Sequence, residues 1–315
     1  MNRLVLLILT FMLFGLTCYG QDVSSLKIEQ VFLDEADSTK NYYTIFYPPQ
    51  IPWKGYLFLV PGFGETAENV LAQTDLPKKL ALNGILTIIP ILKTGSSFFG
   101  SDSSSHQSLK EIIEVVVSKY QLKDKDFFIG GFSIGGTCAV KYAELTIQNN
   151  YTIKPKAVFA IASPLDWERY YNAAQRVVRL SNPDKINQEV FYMIDRIEKE
   201  MKGTPKTALE NFYANSPYSF SDTTQTAIKN LINTPIMLIS EPDLQWGLKE
   251  RGYDISYNNI TDHSAMINEL QRLGNTNAVL VTTIDKGYRQ PNNIKHPISW
   301  SIADPEQLVK WLQSH

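Results

Sequence analysis

The chain has 315 residues, 43% hydrophobic and 20% charged, with a formal net charge of -2. That composition suits a globular protein with a sizeable core, organised as one large or two modest domains. The near-neutral balance supplies no basic field for nucleic acid and no acidic tail, and two cysteines are too few for a disulfide framework.

Met1 to Gly20 has the form of a signal peptide. Arg3 opens it, Leu4 to Leu16 is almost wholly apolar yet too short to span a bilayer, and Cys18 and Gly20 are small residues flanking a cut before Gln21. An exported product, periplasmic or secreted and without stable membrane insertion, is expected. A lipid anchor on Cys18 is disfavoured, because Gly15 and Thr17 stand where an aliphatic and a small residue are wanted. After cleavage Cys138 is the one cysteine left, and it reads as a buried small hydrophobe. Asn150-Tyr151-Thr152 and Asn259-Ile260-Thr261 are glycosylation sequons, meaningful in a eukaryotic source.

Leu26 to Leu33 and Asn41 to Tyr47 read as strands joined by a polar turn, and Tyr47-Pro48-Pro49-Gln50-Ile51-Pro52 breaks regular structure. Gly55 to Val60 is a buried strand running into Pro61-Gly62-Phe63-Gly64-Glu65, and Thr66 to Leu82 is helix-like with Pro77 breaking or kinking it. Alternation then sets in. Ile85 to Ile89, Phe127 to Ile129, Ala157 to Ile161, Pro235 to Ile239 and Ala278 to Val281 are strands. Gln107 to Lys119, Gly135 to Leu145, Ser264 to Leu273 and Asp304 to about Gln313 are helices, the last with Asp304 as N-cap and Pro305 in its first turn. This order predicts a mostly parallel sheet covered on both faces, with an antiparallel start. Between Pro164 and Ile232 the alternation stops: Trp167 to Leu180, Asn182 to Met201, Thr204 to Asn215 and Thr223 to Ile232 look helical, an inserted cap.

The stretch Gly131-Phe132-Ser133-Ile134-Gly135 fits G-x-S-x-G, placed where a strand turns sharply into a helix. A serine at such an apex takes a strained conformation, and its neighbours must be small because strand and helix nearly touch. The helix start aims free N–H groups at the serine. Gly135, Ala139 and Ala143 form a small-residue stripe that lets this helix lie close to a sheet. A nucleophilic serine needs a base and a group that orients it. Of His106, His263, His296 and His315, the pattern favours His296, in a loop between the last strand and the final helix. His263 is a lesser candidate and His106 suits a solvated or capping role. The strand Pro235 to Ser240 runs into Glu241-Pro242-Asp243, which offers Asp243, or else Glu241, as the acid, with a helix-capping role as the alternative for either.

The order Ser133, Asp243, His296, each after a strand, resembles the serine hydrolases of the α/β-hydrolase fold, of the esterase and lipase type, and most of all exported bacterial members with a helical cap. The resemblance spans nearly the whole of residues 21–315, with the cap at about 165–232. It implies hydrolysis of carboxylic esters through an acyl-enzyme, a small-molecule or carbohydrate ester as substrate, no cofactor and no metal. One departure stands out: Pro61-Gly62 replaces the family's frequent His-Gly, so the oxyanion donors expected are the N–H groups of Phe63 and Ile134. Glu65, Trp246 and Trp300 are candidate substrate contacts, with helix-terminal or packing roles as alternatives. Activity is expected to fall as pH drops through about 6–7, the ordinary range of histidine. A small aminopeptidase-like hydrolase and a non-catalytic binding protein on the same scaffold are the alternatives. Oligomeric state is left open.

Overall fold

The computed structural model describes residues 26–34, 36–47, 52–181 and 186–315. The expected leader with Cys18 and the cut before Gln21, residues 48–51 of the proline-rich break, residue 35 of the first turn, and 182–185 at the expected start of the second cap helix lie outside the described residues.

The sheet follows from the apolar runs. Strands β1 (Lys27–Phe32), β2 (Tyr42–Tyr47), β3 (Gly55–Val60), β4 (Ile85–Ile91), β5 (Asp126–Phe132), β6 (Ala157–Ile161), β7 (Ile236–Ser240) and β8 (Ala278–Thr282) form one sheet ordered β1-β2-β4-β3-β5-β6-β7-β8. β1 with β2 and β2 with β4 are antiparallel, and all later pairs are parallel. Central strands are buried on both sides, so they read as continuous apolar runs. In β3, Tyr56, Phe58 and Val60 pack on one face while Leu57 and Leu59 pack on the other. The first face is covered by α3 (Ser103–Lys119), α4 (Ile134–Gln148) and α9 (Ile260–Arg272), and the second by α1 (Ala67–Gln73), α2 (Leu76–Leu82) and α10 (Pro305–Gln313). This is the expected α/β-hydrolase fold.

Some local expectations change. Thr66 to Leu82 is two helices, and Pro77 sits in the first turn of α2, where its missing N–H costs nothing. α3 starts at Ser103, because the Asp102 carboxylate caps it by accepting from the Ser105 N–H. His106 is therefore inside the helix and buried, with neither ring nitrogen bonded among the described residues. The inserted region holds α5 (Trp167–Leu180), α6 (Gln188–Met201) and α7 (Leu209–Asn215). Helix expected over Thr223 to Ile232 shrinks to a 3₁₀ turn at Ile228–Leu231. The Asp222 carboxylate explains the loss: it accepts from the backbone N–H groups of Thr224 and Thr226, both at 2.9 Å, and so competes with helix formation.

The inserted region is tied to the sheet by a buried polar cluster that sequence reading did not anticipate. Asp262 accepts from the backbone N–H of Leu165 (2.9 Å) and Asp166 (3.1 Å) and is bridged by Arg169. Asn259 donates to the Ala162 carbonyl (2.9 Å) and accepts from Arg169 (3.1 Å). With its amide buried and spent in this way, Asn259 is not available to carry a glycan, whatever its sequon.

Candidate active site

Ser133 sits at φ 51°, ψ -125°, immediately before α4 and at the C-terminal end of β5. That backbone is strained for a residue with a Cβ. The sheet enforces it: the Ser133 N–H donates to the Ile161 carbonyl at 2.8 Å while the next residue already turns into helix. The glycine requirement is steric. A Cβ on Gly135 would lie 2.2 Å from the Pro61 carbonyl oxygen, and one on Gly131 would lie 2.5 Å from the Gly135 carbonyl carbon. Both contacts are with backbone, which cannot move aside.

Beside the serine lies the turn after β3. The Glu65 carboxylate accepts from the Gly62 N–H at 2.7 Å and from the Trp300 indole N–H at 3.1 Å, so it laces the turn to the segment before α10. Burial raises the Glu65 pKa above the usual carboxylate value, against the opposing pull of these bonds. The backbone N–H groups of Phe63 and Ile134 have no hydrogen-bond partner among the described residues. The Phe63 ring projects toward the cap and packs on Tyr192 of α6 with centroids 5.5 Å apart.

His296 follows a small hairpin, β9 (Tyr288–Arg289) with β10 (Ile294–Lys295), which sequence reading did not foresee. Its backbone N–H donates to the Gly287 carbonyl at 2.9 Å. Its ring lies 4.8 Å from Trp246. Nδ1 accepts from the Ile298 N–H at 3.2 Å, and Nε2 faces the Arg251 guanidinium at 3.1 Å. Burial, then the charges of Arg289 and Arg251, lower its pKa to about 3. The expected acid limb at pH 6–7 therefore does not fit this arrangement, because both burial and neighbouring cations disfavour the imidazolium.

The two candidate acids are placed differently. Glu241 is buried, and its carboxylate accepts from Thr283 Oγ1 (3.0 Å), the Lys286 N–H (2.9 Å) and the Gly287 N–H (3.0 Å). It fastens the loop on which the His296 backbone rests. Asp243 caps the short helix α8 (Leu244–Trp246) by accepting from the Trp246 N–H at 2.9 Å, and it pairs with Lys295 at 2.7 Å. The Lys295 ammonium and the Trp246 N–H hold its pKa below the usual carboxylate value. Among the described residues neither carboxylate is hydrogen-bonded to His296. Asp243 stands one residue away from it, through Lys295.

Ser133, His296, Phe63, Ile134, Glu65, Trp246 and Trp300 all line one cavity of about 780 Å³, which Asp243 does not line. The cap contributes Tyr170, Glu189, Tyr192 and Met193 to it. The cavity opens at the C-terminal edge of the parallel strands, the usual place for sites in such sheets. His263, the other candidate base, lies elsewhere. It is fully buried, with Nδ1 on Ser240 Oγ (2.8 Å) and Nε2 on the Ser163 carbonyl (2.9 Å), and burial lowers its pKa to about 4. Arg251 and Arg289 also line the cavity and were not anticipated. They come from a short helical turn and a two-residue strand, separate segments without a motif, so no sequence signal marks them. Among the described residues no group of three His, Cys, Asp or Glu side chains is placed to hold a metal ion, and no helix is long and apolar enough to cross a membrane.

Comparisons with known proteins agree with this architecture. A family model described as "Alpha/beta hydrolase of unknown function (DUF915)" matches residues 86–225. No curated protein sequence matches. Among solved structures, a phosphonate-inhibited esterase B from Lactobacillus rhamnosis superposes with a TM-score of 0.59 at 11% identity, covering 92% of this chain and 86% of that one. A structure from a study of two esterases of the fungus Rhizomucor miehei gives 0.58 at 13% identity, covering 92% and 83%. Carboxyl esterase 2 from the mycorrhizal fungus Tuber melanosporum gives 0.55 at 13%, covering 91% and 86%. At these identities the likeness is one of fold.

Proposed function

We propose that this protein is an exported serine hydrolase that cleaves carboxylic esters, with Ser133 as nucleophile, His296 as base and Asp243 as the acid that orients it. The observation that carries the reading is the juxtaposition in one cavity of a strained serine at a helix start, a histidine, and two backbone N–H groups without a partner among the described residues. The choice of ester over amide rests on analogy of fold with esterases alone.

In the reaction, the Ser133 oxygen forms a bond to the acyl carbon as its proton passes to Nε2 of His296. The oxyanion is held by the N–H groups of Phe63 and Ile134, each donor worth about 10²–10³ in rate. Collapse breaks the ester C–O bond, and the leaving alkoxide takes the proton from His296. Water then gives a proton to His296, attacks the acyl-enzyme, and releases the acid as Ser133 recovers its proton. Three contacts must change along the way. Arg251 must leave Nε2, the Ile298 N–H must leave Nδ1 so that the ring carries its proton there, and Asp243 must exchange Lys295 for that Nδ1–H.

The test is labelling with a fluorophosphonate probe, wild type against Ser133→Ala, beside nitrophenyl esters of increasing acyl length and aminoacyl anilides. Labelling and ester turnover lost together in the variant are expected. No labelling of folded wild-type protein would remove the reading, and anilides turned over faster than esters would replace esterase by peptidase. The export part rests on residues 1–20; mass spectrometry of the protein from its host is expected to find Gln21 at the mature N-terminus.

A further inference from the structure

Two guanidinium groups stand on the His296 side of the cavity without a carboxylate within 4.0 Å among the described residues. Three other arginines are matched by carboxylates, Arg169 by Asp262, Arg176 by Asp254 and Arg196 by Glu200, while Arg272, away from the cavity, bonds Asn268. Arg251 ends a π-helical turn, Gly247–Arg251, which Gly252 terminates at φ 67°. Such turns are rare and recur at functional sites. This one sets the guanidinium 5.5 Å over the Trp246 ring and 3.1 Å from His296 Nε2. Arg289 donates through Nε and Nη2 to the Ile298 carbonyl (3.2 and 3.0 Å), which fixes its head at the cavity wall with Nη1 uncommitted among the described residues.

The remaining charges nearby leave these two without a carboxylate in contact among the described residues. Lys295, next to His296 in sequence, is spent on Asp243 and Asp285. Glu65 is spent on Gly62 and Trp300, and it acts on Arg289 only at longer range. Glu189, at the start of α6, likewise acts on Arg289 from a distance. Glu241 is enclosed by Thr283, Lys286 and Gly287. His296 therefore faces two cations, one of them in contact with the nitrogen that must take the proton from Ser133. A neutral ester entering this cavity would find the base weakened and its Nε2 covered. An anion on the guanidinium pair would relieve both effects, because a carboxylate offers Arg251 a charge-assisted, forked partner that an imidazole cannot match.

We infer that the substrates of this site are esters whose leaving alcohol carries an anionic group, a carboxylate, held by Arg251 and Arg289, and that the bound anion draws Arg251 off His296. This rests on the serine-hydrolase reading above. The charge belongs on the leaving part because Nε2, where Arg251 stands, is also the atom that protonates the departing oxygen. Arg251 and Arg289 are then specificity-determining residues, and substrate charge itself frees the base.

The experiment compares kcat/KM on the full-length protein for 4-acetoxybenzoate, with the charge on the leaving part, and its neutral isostere 4-acetoxybenzamide. Monophenyl succinate, charged on the acyl part, is measured against phenyl butyrate. A charge-assisted hydrogen bond of about 1.5–3 kcal/mol corresponds to about a 10–150-fold preference for the acetoxybenzoate. The preference is expected to collapse in Arg251→Gln and Arg289→Gln and to survive in part in Arg251→Lys, which keeps the charge and loses the fork. A second readout separates specificity from structural support. The acid limb of kcat, which reports His296 in the complex, is expected at higher pH for 4-acetoxybenzenesulfonate than for the benzamide, because a permanent anion favours the imidazolium.

Equal kcat/KM for charged and neutral pairs, with Ser133-dependent turnover intact, would overturn the inference and leave the hydrolase reading standing. So would a preference confined to the succinate, or one undiminished in folded Arg251→Gln. Absence of probe labelling and of all ester turnover would remove both.

Discussion

The strain at Ser133 can be measured without any substrate. Its φ of 51° is one that glycine adopts freely and other residues adopt at a cost of about 1–3 kcal/mol. Ser133→Ala removes the hydroxyl, which has no hydrogen bond among the described residues, and keeps the Cβ and hence the strain. Ser133→Gly removes both. Against the relief stands the larger entropy that glycine loses on folding, about 0.5–1 kcal/mol. The difference between the variants should thus favour glycine by about 1 kcal/mol, or roughly 2 °C in Tm for a chain of this size. The comparison is clean because both variants are inactive and both leave the same neighbours. Urea unfolding at constant slope, with thermal melts alongside, reads it directly. If Ser133→Gly proves no more stable than Ser133→Ala, the backbone there is not strained, and the account of how the nucleophile is presented fails.

Other expectations follow from the surrounding bonds. Glu65→Ala should leave the Gly62 N–H and the Trp300 indole N–H unpaired, cost about 1–3 kcal/mol in urea unfolding, and lower kcat more than it raises KM, because the loosened turn carries the Phe63 N–H. Glu241→Gln presents an amide where two backbone N–H groups and a hydroxyl converge, so a similar stability loss is expected, visible as a lower urea midpoint. Asp243→Asn should leave Tm near the wild-type value, since the Lys295 pair is solvent-facing, yet reduce kcat at least about 10²-fold if Asp243 orients the base; unchanged kcat would remove it from the triad. For a neutral ester, kcat/KM reports the free enzyme. With His296 held near 3 by burial and by Arg289 and Arg251, its neutral form persists as pH falls, so the rate should stay flat from pH 8 through 6 and decline only in stronger acid; a limb at 6–7 would show that the ring is neither so buried nor so faced by cations in solution.

Much of this site is legible in the sequence because its requirements are local. The elbow needs a serine between glycines wherever a strand must turn at once into a helix, and the Cβ clashes at Gly131 and Gly135 are the physical form of that rule. Strand and helix order likewise follows from apolar runs and their period, and Asp304-Pro305 marks the final helix through its own side chains. Short polar segments were less legible. Asp222 and the threonines after it satisfy the backbone from their side chains, and helix there loses to that competition.

What surrounds the serine was decided by the tertiary structure. Sequence favours Asp243 over Glu241 as the acid but does not show their surroundings: the loop from Thr283 to Gly287 closes over Glu241, and Lys295 reaches Asp243. His296 stands apart in sequence by its loop position, but the burial of His106 and His263 inside α3 and α9 came only from the packing. Arg251 and Arg289 become a pair beside the base because a π-helical turn and a two-stranded hairpin, distant in sequence, end at the same cavity wall. Local chemistry can specify a nucleophile, since strain and close approach act within a few residues. The field around a base is a sum over charges brought together from the whole chain, and only the folded arrangement fixes it.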